Sequence, residues 1–148
     1  MVFSPLSIRT LFPPSFYNVG ARFHSTGENA SFRPLAGRVA KIVQEERFHR
    51  IFGDQWLARL AKREDEVTKE LQQAINWAWQ ITLEWLGPDN DPTSALLLTN
   101  NVLKHDIATI RQRWLDDVTP LLSRNQLTVP EIKPDWSRWD PQFRHVRF

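Results

Sequence analysis

From Pro34 to Pro120 the apolar residues of this chain recur every three or four positions, a spacing that belongs to helices. At about 100° per residue, Leu35, Val39, Ile42, Trp56 and Leu60 share a stripe about 100° wide, with Leu57 beside them. This predicts a core-facing helix over 34–62, with Pro34 a favourable first residue after Ser31. After Glu64-Asp65, Val67, Leu71, Ala74, Ala78, Ile81 and Trp85 alternate in steps of four and three, the seam of a helical bundle over 65–86. Gly87-Pro88 ends that helix. The run Asp89-Asn90-Asp91-Pro92-Thr93-Ser94 is turn chemistry, and Ser94 can cap a short apolar helix over 94–104 through Leu96, Leu97, Leu98 and Val102. Asp106 then caps a helix over 106–122 with Ile107, Ile110, Trp114 and Val118 on one side, which Pro120 kinks or stops.

The flanks read differently. Residues 1–33 have no acid before Glu28, are rich in Ser, Phe and Pro, and show no sustained period, so they are expected to be irregular. The same stretch, ending in Arg22-Phe23-His24-Ser25-Thr26, also reads like an acid-poor transit peptide over residues 1–25, although Pro13-Pro14 interrupts the amphipathic helix such a leader needs. Residues 124–148 carry Pro130, Pro134 and Pro141, the aromatics Trp136, Trp139 and Phe143, and Arg138, Arg144 and Arg147, which reads as an extended arm. With no strand signal and no repeat, the expected fold is all-α: one helical domain over 34–123 of about four helices, plus the arm.

Composition removes whole classes of function. A length of 148 residues gives room for one ordinary domain, and 41% hydrophobic with 24% charged residues is a globular balance. No apolar run approaches the roughly 20 residues that span a bilayer, so no membrane span is expected. Cysteine is absent, which removes disulfides, thiolate nucleophiles and Cys-based metal sites and leaves any metal to His and carboxylates. A net charge of +2 is too balanced for an electrostatic nucleic-acid binder. Seven Trp and nine Phe are more aromatic surface than a chain this short normally buries alone, which points to a partner surface. Trp77 and Trp79 fall off the second helix's seam and fit either a second core face or a subunit interface. Asp116-Asp117 reads as a solvated face.

The residues that carry chemistry are Glu46 and His49. On the wheel of the first helix they lie at roughly +20° and −40° from Leu35, inside the apolar stripe, while Glu45 lies on its edge. A carboxylate and an imidazole thus stand where Leu is expected. A charge in such a place pairs, binds a metal or neutralises itself. Three residues apart, the two heads share a face. The carboxylate can bridge two metals while the imidazole ligates one, which is the Glu-x-x-His element of di-iron carboxylate bundles. The plain alternative is an ion pair of Glu46 with Arg50, four residues on. A full di-iron site takes Glu-x-x-His from two helices and a further carboxylate from each of two others. His24, His105 and His145 are preceded three residues earlier by Ala21, Val102 and Gln142, so the chain supplies half of such a site. No Gly-rich phosphate loop, Ser elbow or His-Glu-x-x-His motif is present, and no catalytic residue is identified.

Five segments in order carry a resemblance: Gln44-Glu45-Glu46-Arg47-Phe48-His49; Leu71-Gln72-Gln73-Ala74-Ile75-Asn76; Leu86-Gly87-Pro88-Asp89-Asn90-Asp91 with Ser94; Arg111-Gln112-Arg113-Trp114 with Asp117-Val118-Thr119-Pro120; and Leu127-Thr128-Val129-Pro130. Over roughly residues 34–136 the chain resembles the C-terminal half of the catalytic A subunit of the ring 1,2-phenylacetyl-CoA epoxidases, within the related A and C subunit family. The resemblance implies a ferritin-like bundle, here incomplete, with a di-iron centre that epoxidises the ring of phenylacetyl-CoA with O2. It also implies a metal-free C-type scaffold subunit and an NADPH-dependent reductase as partners, with Glu46 bridging or ligating iron and His49 ligating one iron. The family's first half, with its own Glu-x-x-His and earlier carboxylate, has no counterpart in these 148 residues, and the region of another acidic ligand reads Tyr17-Asn18-Val19. The expectation is therefore a truncated or degenerate A-subunit-like protein of phenylacetate catabolism, cytoplasmic unless residues 1–25 direct it to mitochondria. The alternative is a non-catalytic helical subunit that docks a ferritin-like partner.

Overall fold

The computed structural model describes residues 33–146, with side chains described at Arg38 and from Lys41 onward. The expected irregular stretch, the transit-like leader and the Tyr17-Asn18-Val19 region lie outside the described residues, as do the side chains of Leu35 and Val39. The elements are α1 (Arg33–Leu60), α2 (Asp65–Leu86), α3 (Pro92–Thr99) and α4 (Ile107–Arg124), then a single 3-10 turn (Trp136–Arg138) and a hairpin of β1 (Trp139–Asp140) and β2 (His145–Val146).

Helices α1 and α2 form an antiparallel pair closed by a tight turn, in which Ala61 N donates to Leu57 O and Arg63 N to Leu60 O. Asp65 and Glu66 place acid on the first turn of α2, where the helix dipole favours it. Leu57 and Leu60 from α1 meet Leu71, Ala74, Ile75, Ala78, Trp79, Leu83 and Leu86 from α2 and Ile107, Ile110, Trp114, Val118 and Leu122 from α4 in one buried cluster. Each large side chain covered in this way contributes about 1.5–3 kcal/mol relative to exposure. At the centre, Trp79 and Trp114 pack at a tilt with ring centroids 4.6 Å apart. Trp79 thus belongs to the core, whereas Trp77 stands 43% exposed on the outer side.

The α2 seam departs from the heptad reading. Ile81 and Trp85 are exposed, and the buried set turns instead onto Trp79, Thr82, Leu83 and Leu86. The physical reason is a change of neighbours. α2 packs on α1 near the α1–α2 turn and on β2 at its C-terminal end, so its inner face cannot stay fixed along its length.

Helix α2 stops at Gly87, whose φ of 82° and ψ of 178° lie in a region open essentially to glycine alone. Helix α3 starts earlier and ends sooner than its sequence suggests. Its N-cap is Asp91, which accepts from Ser94 N at 2.8 Å, so Ser94 is the capped residue and Pro92 takes the first helical position. The helix closes at Thr99, where Val102 N and Leu103 N turn back to Leu97 O and Asn101 takes a φ of 57°. Asp106 caps α4 as expected, accepting from Thr109 N at 2.7 Å. Pro120 does not end α4, which continues to Arg124. The completely buried Leu122 holds the last turn against the core, and that burial outweighs the one hydrogen bond the proline removes.

The C-terminal arm folds back on the bundle. Thr128 N donates to Gln72 Oε1 and Gln72 Nε2 donates to Thr128 O, both at 2.9 Å, which fixes the arm to α2 by a double amide pair. Leu127 joins the core, with Val129 and Ile132 packed against it. The arm then forms a hairpin in which Trp139 pairs with Val146 and Asp140 with His145. Two-residue strands are too short for any alternation to register in sequence. Among the described residues, no helix is long and apolar enough to cross a membrane.

Candidate metal centre on helix α1

Glu46 and His49 lie on α1 one turn apart, and the structure brings them together: His49 Nδ1 is 3.3 Å from Glu46 Oε1. Their surroundings differ. The Glu46 side chain is 21% exposed and that of His49 57%, so the carboxylate is turned in while the imidazole stands at the protein's edge. The inward placement that the wheel suggests for both is therefore seen at Glu46 and not at His49. Glu45, on the stripe's edge, is exposed and 3.9 Å from Lys41. Glu46 Oε2 is buried and receives no hydrogen bond. Such oxygens are rare in folded proteins, since leaving a buried acceptor unpaired costs about 1–3 kcal/mol.

Arg50 does not pair with Glu46. Its Nη1 instead lies 3.9 Å from Asp117 Oδ2 on α4. One turn further along α1, Asp54 is 3.8 Å from Arg124 Nη2. Burial pushes the Asp54 carboxyl above its ordinary value, and Asp117 adds to the rise, while Arg50 and Arg124 oppose it. Arg50, Asp54, Asp117 and Arg124 line a small cleft between α1 and α4, floored by Trp114, Val118 and Leu121. Asp117 is half-buried, so only Asp116 of the expected solvated pair is exposed, with Gln112 donating to it at 2.9 Å. The signal for Asp117 is present on the wheel. It falls about 60° from Trp114, beside the apolar stripe of α4 rather than opposite it.

A second polar cluster joins the α2–α3 turn to the hairpin. The Asp91 side chain is fully covered and accepts from Ser94 N, Ser94 Oγ, Trp139 Nε1 and Arg144 Nη1. Although burial pushes its carboxyl up, the Ser94 hydroxyl and amide, with Arg144 and Trp139, hold it below the ordinary range. Arg111 reaches the same turn, donating to Gly87 O and to Asp89 Oδ1. The segments Gly87 to Ser94 and Arg111 to Trp114 are thus tied to each other by structure. Sequence reasoning missed this cluster, because its partners, Asp91 and Arg144, lie 53 residues apart.

Neither of the other described histidines stands in a group of metal-binding side chains. His105 is half-buried between α3 and α4, its pKa lowered first by desolvation and then by Arg113 and Lys104; His145 is exposed in the hairpin; His24 lies outside the described residues. Among the described residues, no three His, Asp or Glu side chains gather as a metal-binding group. Glu46 and His49 fit one corner of a carboxylate-bridged centre, with one buried free oxygen, and do not complete it.

A family model described as phenylacetic acid catabolic protein matches residues 19–146, most of the chain. The chain belongs to that family. It is similar to the A subunit of the 1,2-phenylacetyl-CoA epoxidase of Escherichia coli (strain K12), with 35% identity over 120 residues, 80% of this chain and 38% of that protein. The C subunit of the same organism's epoxidase is 32% identical over 97 residues, 66% of this chain and 38% of the relative. The chain therefore spans 38% of the length of each of these two relatives. As a member of the phenylacetic acid catabolic family it carries a ferritin-like helical fold, represented here by four helices and a small C-terminal hairpin.

Proposed function

We propose that this chain is an epoxidase A-subunit-like component of phenylacetate catabolism in which Glu46 and His49 are one half of a di-iron site. The observation that carries this is the buried Glu46 oxygen without a hydrogen-bond donor, one turn from an imidazole on the same face of α1. A bound metal would satisfy that oxygen as no protein group does. The match to the epoxidase A subunit covers more of the chain than the match to the C subunit at similar identity, which supports an A-type reading. When bound, a di-iron centre supplies activation of O2 for oxygen transfer to the aromatic ring of an acyl-CoA. This chain's part is to hold one carboxylate and one imidazole in fixed relation on α1, with the α1–α4 cleft beside them. The remaining ligands come from beyond the described residues or from another chain. A C-type scaffold subunit and an NADPH-dependent reductase are the partners this reading requires, in the cytoplasm.

A non-catalytic docking subunit is the second reading, favoured by Phe48, Ile51 and Phe52, which stand 69%, 51% and 48% exposed on neighbouring positions of α1. Iron analysis of the chain purified with a C-type subunit separates the two, together with turnover of phenylacetyl-CoA in the presence of the reductase. The proposal expects iron that is lost in Glu46→Gln. A stable heterodimer free of iron would leave the docking role alone.

A further inference from the structure

Glu46 and Arg50 are four residues apart on one helix face, the spacing at which a carboxylate and a guanidinium pair by default. A guanidinium on Glu46 would fill the lone pairs that a cation needs and cancel its charge. Yet Glu46 Oε2 is buried without a donor, while Arg50 Nη1 is directed across to Asp117 Oδ2 on α4 at 3.9 Å. Asp54, the other carboxylate one turn from Arg50, has Arg124 at 3.8 Å. Each arginine of the cleft thus has an aspartate across the α1–α4 boundary. A loose, half-exposed pair of this kind adds little to stability. Its consequence is positional, because it decides which carboxylate Arg50 serves.

We infer that Asp117 is a positioning residue that draws Arg50 away from Glu46 and so keeps the Glu46 carboxylate open to a metal ion. This rests on the reading of Glu46 as a metal ligand. Released from Asp117, the Arg50 side chain has Glu46 within reach on its own helix. The effect of Asp117 on Glu46 runs through Arg50, so in a chain lacking Arg50 the loss of Asp117 no longer weakens metal binding.

The test uses the full 148-residue chain and Mn(II) alone, read as paramagnetic broadening of the His49 ring signals, which reports weak binding at that position. In the wild-type chain His49 broadens, and Glu46→Gln abolishes the effect. Asp117→Asn requires about 10- to 100-fold more Mn(II), the usual consequence of losing a residue that orients a metal ligand. Asp117→Glu retains binding, Arg50→Gln binds as tightly as wild type or more so, and the double variant Arg50→Gln/Asp117→Asn recovers wild-type broadening. If Asp117→Asn binds normally where Glu46→Gln does not, the positioning role is wrong and the metal reading stands. If its loss persists in the double variant, Asp117 acts on structure rather than through Arg50, which also overturns the inference. Should Asp117→Asn fail to fold, Arg50→Gln decides, since weakened binding there would show that Arg50 supports the site. Broadening in Glu46→Gln equal to wild type, or none in wild type, removes the metal reading itself.

Discussion

Asp91 is a carboxylate fully covered by protein and Glu46 is a half-buried one with a single buried oxygen, and they differ in what reaches them. Asp91 accepts from the Ser94 amide and hydroxyl, the Trp139 indole and the Arg144 guanidinium, so that the α2–α3 turn, the N-terminus of α3 and the hairpin all meet on it. Glu46 has a histidine at 3.3 Å on one oxygen and nothing on the other. A saturated buried carboxylate is explained by the fold that surrounds it. An unsaturated one costs the fold free energy and calls for a ligand to account for it. The contrast separates a structural clasp from a candidate site within one helical bundle.

The largest effect is expected at the clasp. Asp91→Ala strands Arg144 and uncaps α3, and should cost about 3–5 kcal/mol in urea unfolding followed by tryptophan fluorescence. A cost below about 1 kcal/mol would erase the contrast with Glu46. The same residue sets a pH dependence. Because the fold holds the Asp91 carboxyl below its ordinary range, its contribution is complete above that range and is lost as pH falls through the depressed value. Acid should therefore loosen the hairpin, and Asp91→Asn should flatten that part of the stability profile. Next in size is Gly87→Ala. It places a side chain at φ 82°, with its Cβ 3.1 Å from the Trp139 ring, and should cost about 1–3 kcal/mol in the same assay. Smaller still is Arg124→Gln, which removes a mostly exposed partner of Asp54 and should change stability by less than about 1 kcal/mol.

Much of this fold is legible in sequence because its signals are local. Gly87-Pro88 ends α2, Asp106 caps α4, and apolar periodicity places Leu57, Leu60, Leu71, Ile110 and Trp114 inside. What periodicity hides is long-range. The heptad reading of α2 puts Ile81 and Trp85 inward because it assumes one neighbour for the whole helix, whereas the two ends of α2 have different ones. Ser94 looks like a cap until Asp91, held by the distant Arg144, takes that position. Pro120 looks like a stop until the burial of Leu122 is counted. Of the candidate site, the turn-apart placement of Glu46 and His49 is legible, since Glu-x-x-His spacing alone puts them on one face. The partner of Arg50 is not, because the choice between Glu46 and Asp117 depends on how α1 lies against α4.

If Glu46 is kept at the expense of stability for the sake of a cation, the unfolding free energy of Glu46→Leu with and without Mn(II) will show it. The metal-free variant should be as stable as wild type or more so by up to about 1 kcal/mol, since an unpaired buried oxygen is exchanged for an apolar group. Mn(II) should stabilise wild type and leave the variant unmoved. A variant destabilised by more than about 1 kcal/mol, beside a wild type indifferent to Mn(II), would make Glu46 a structural residue.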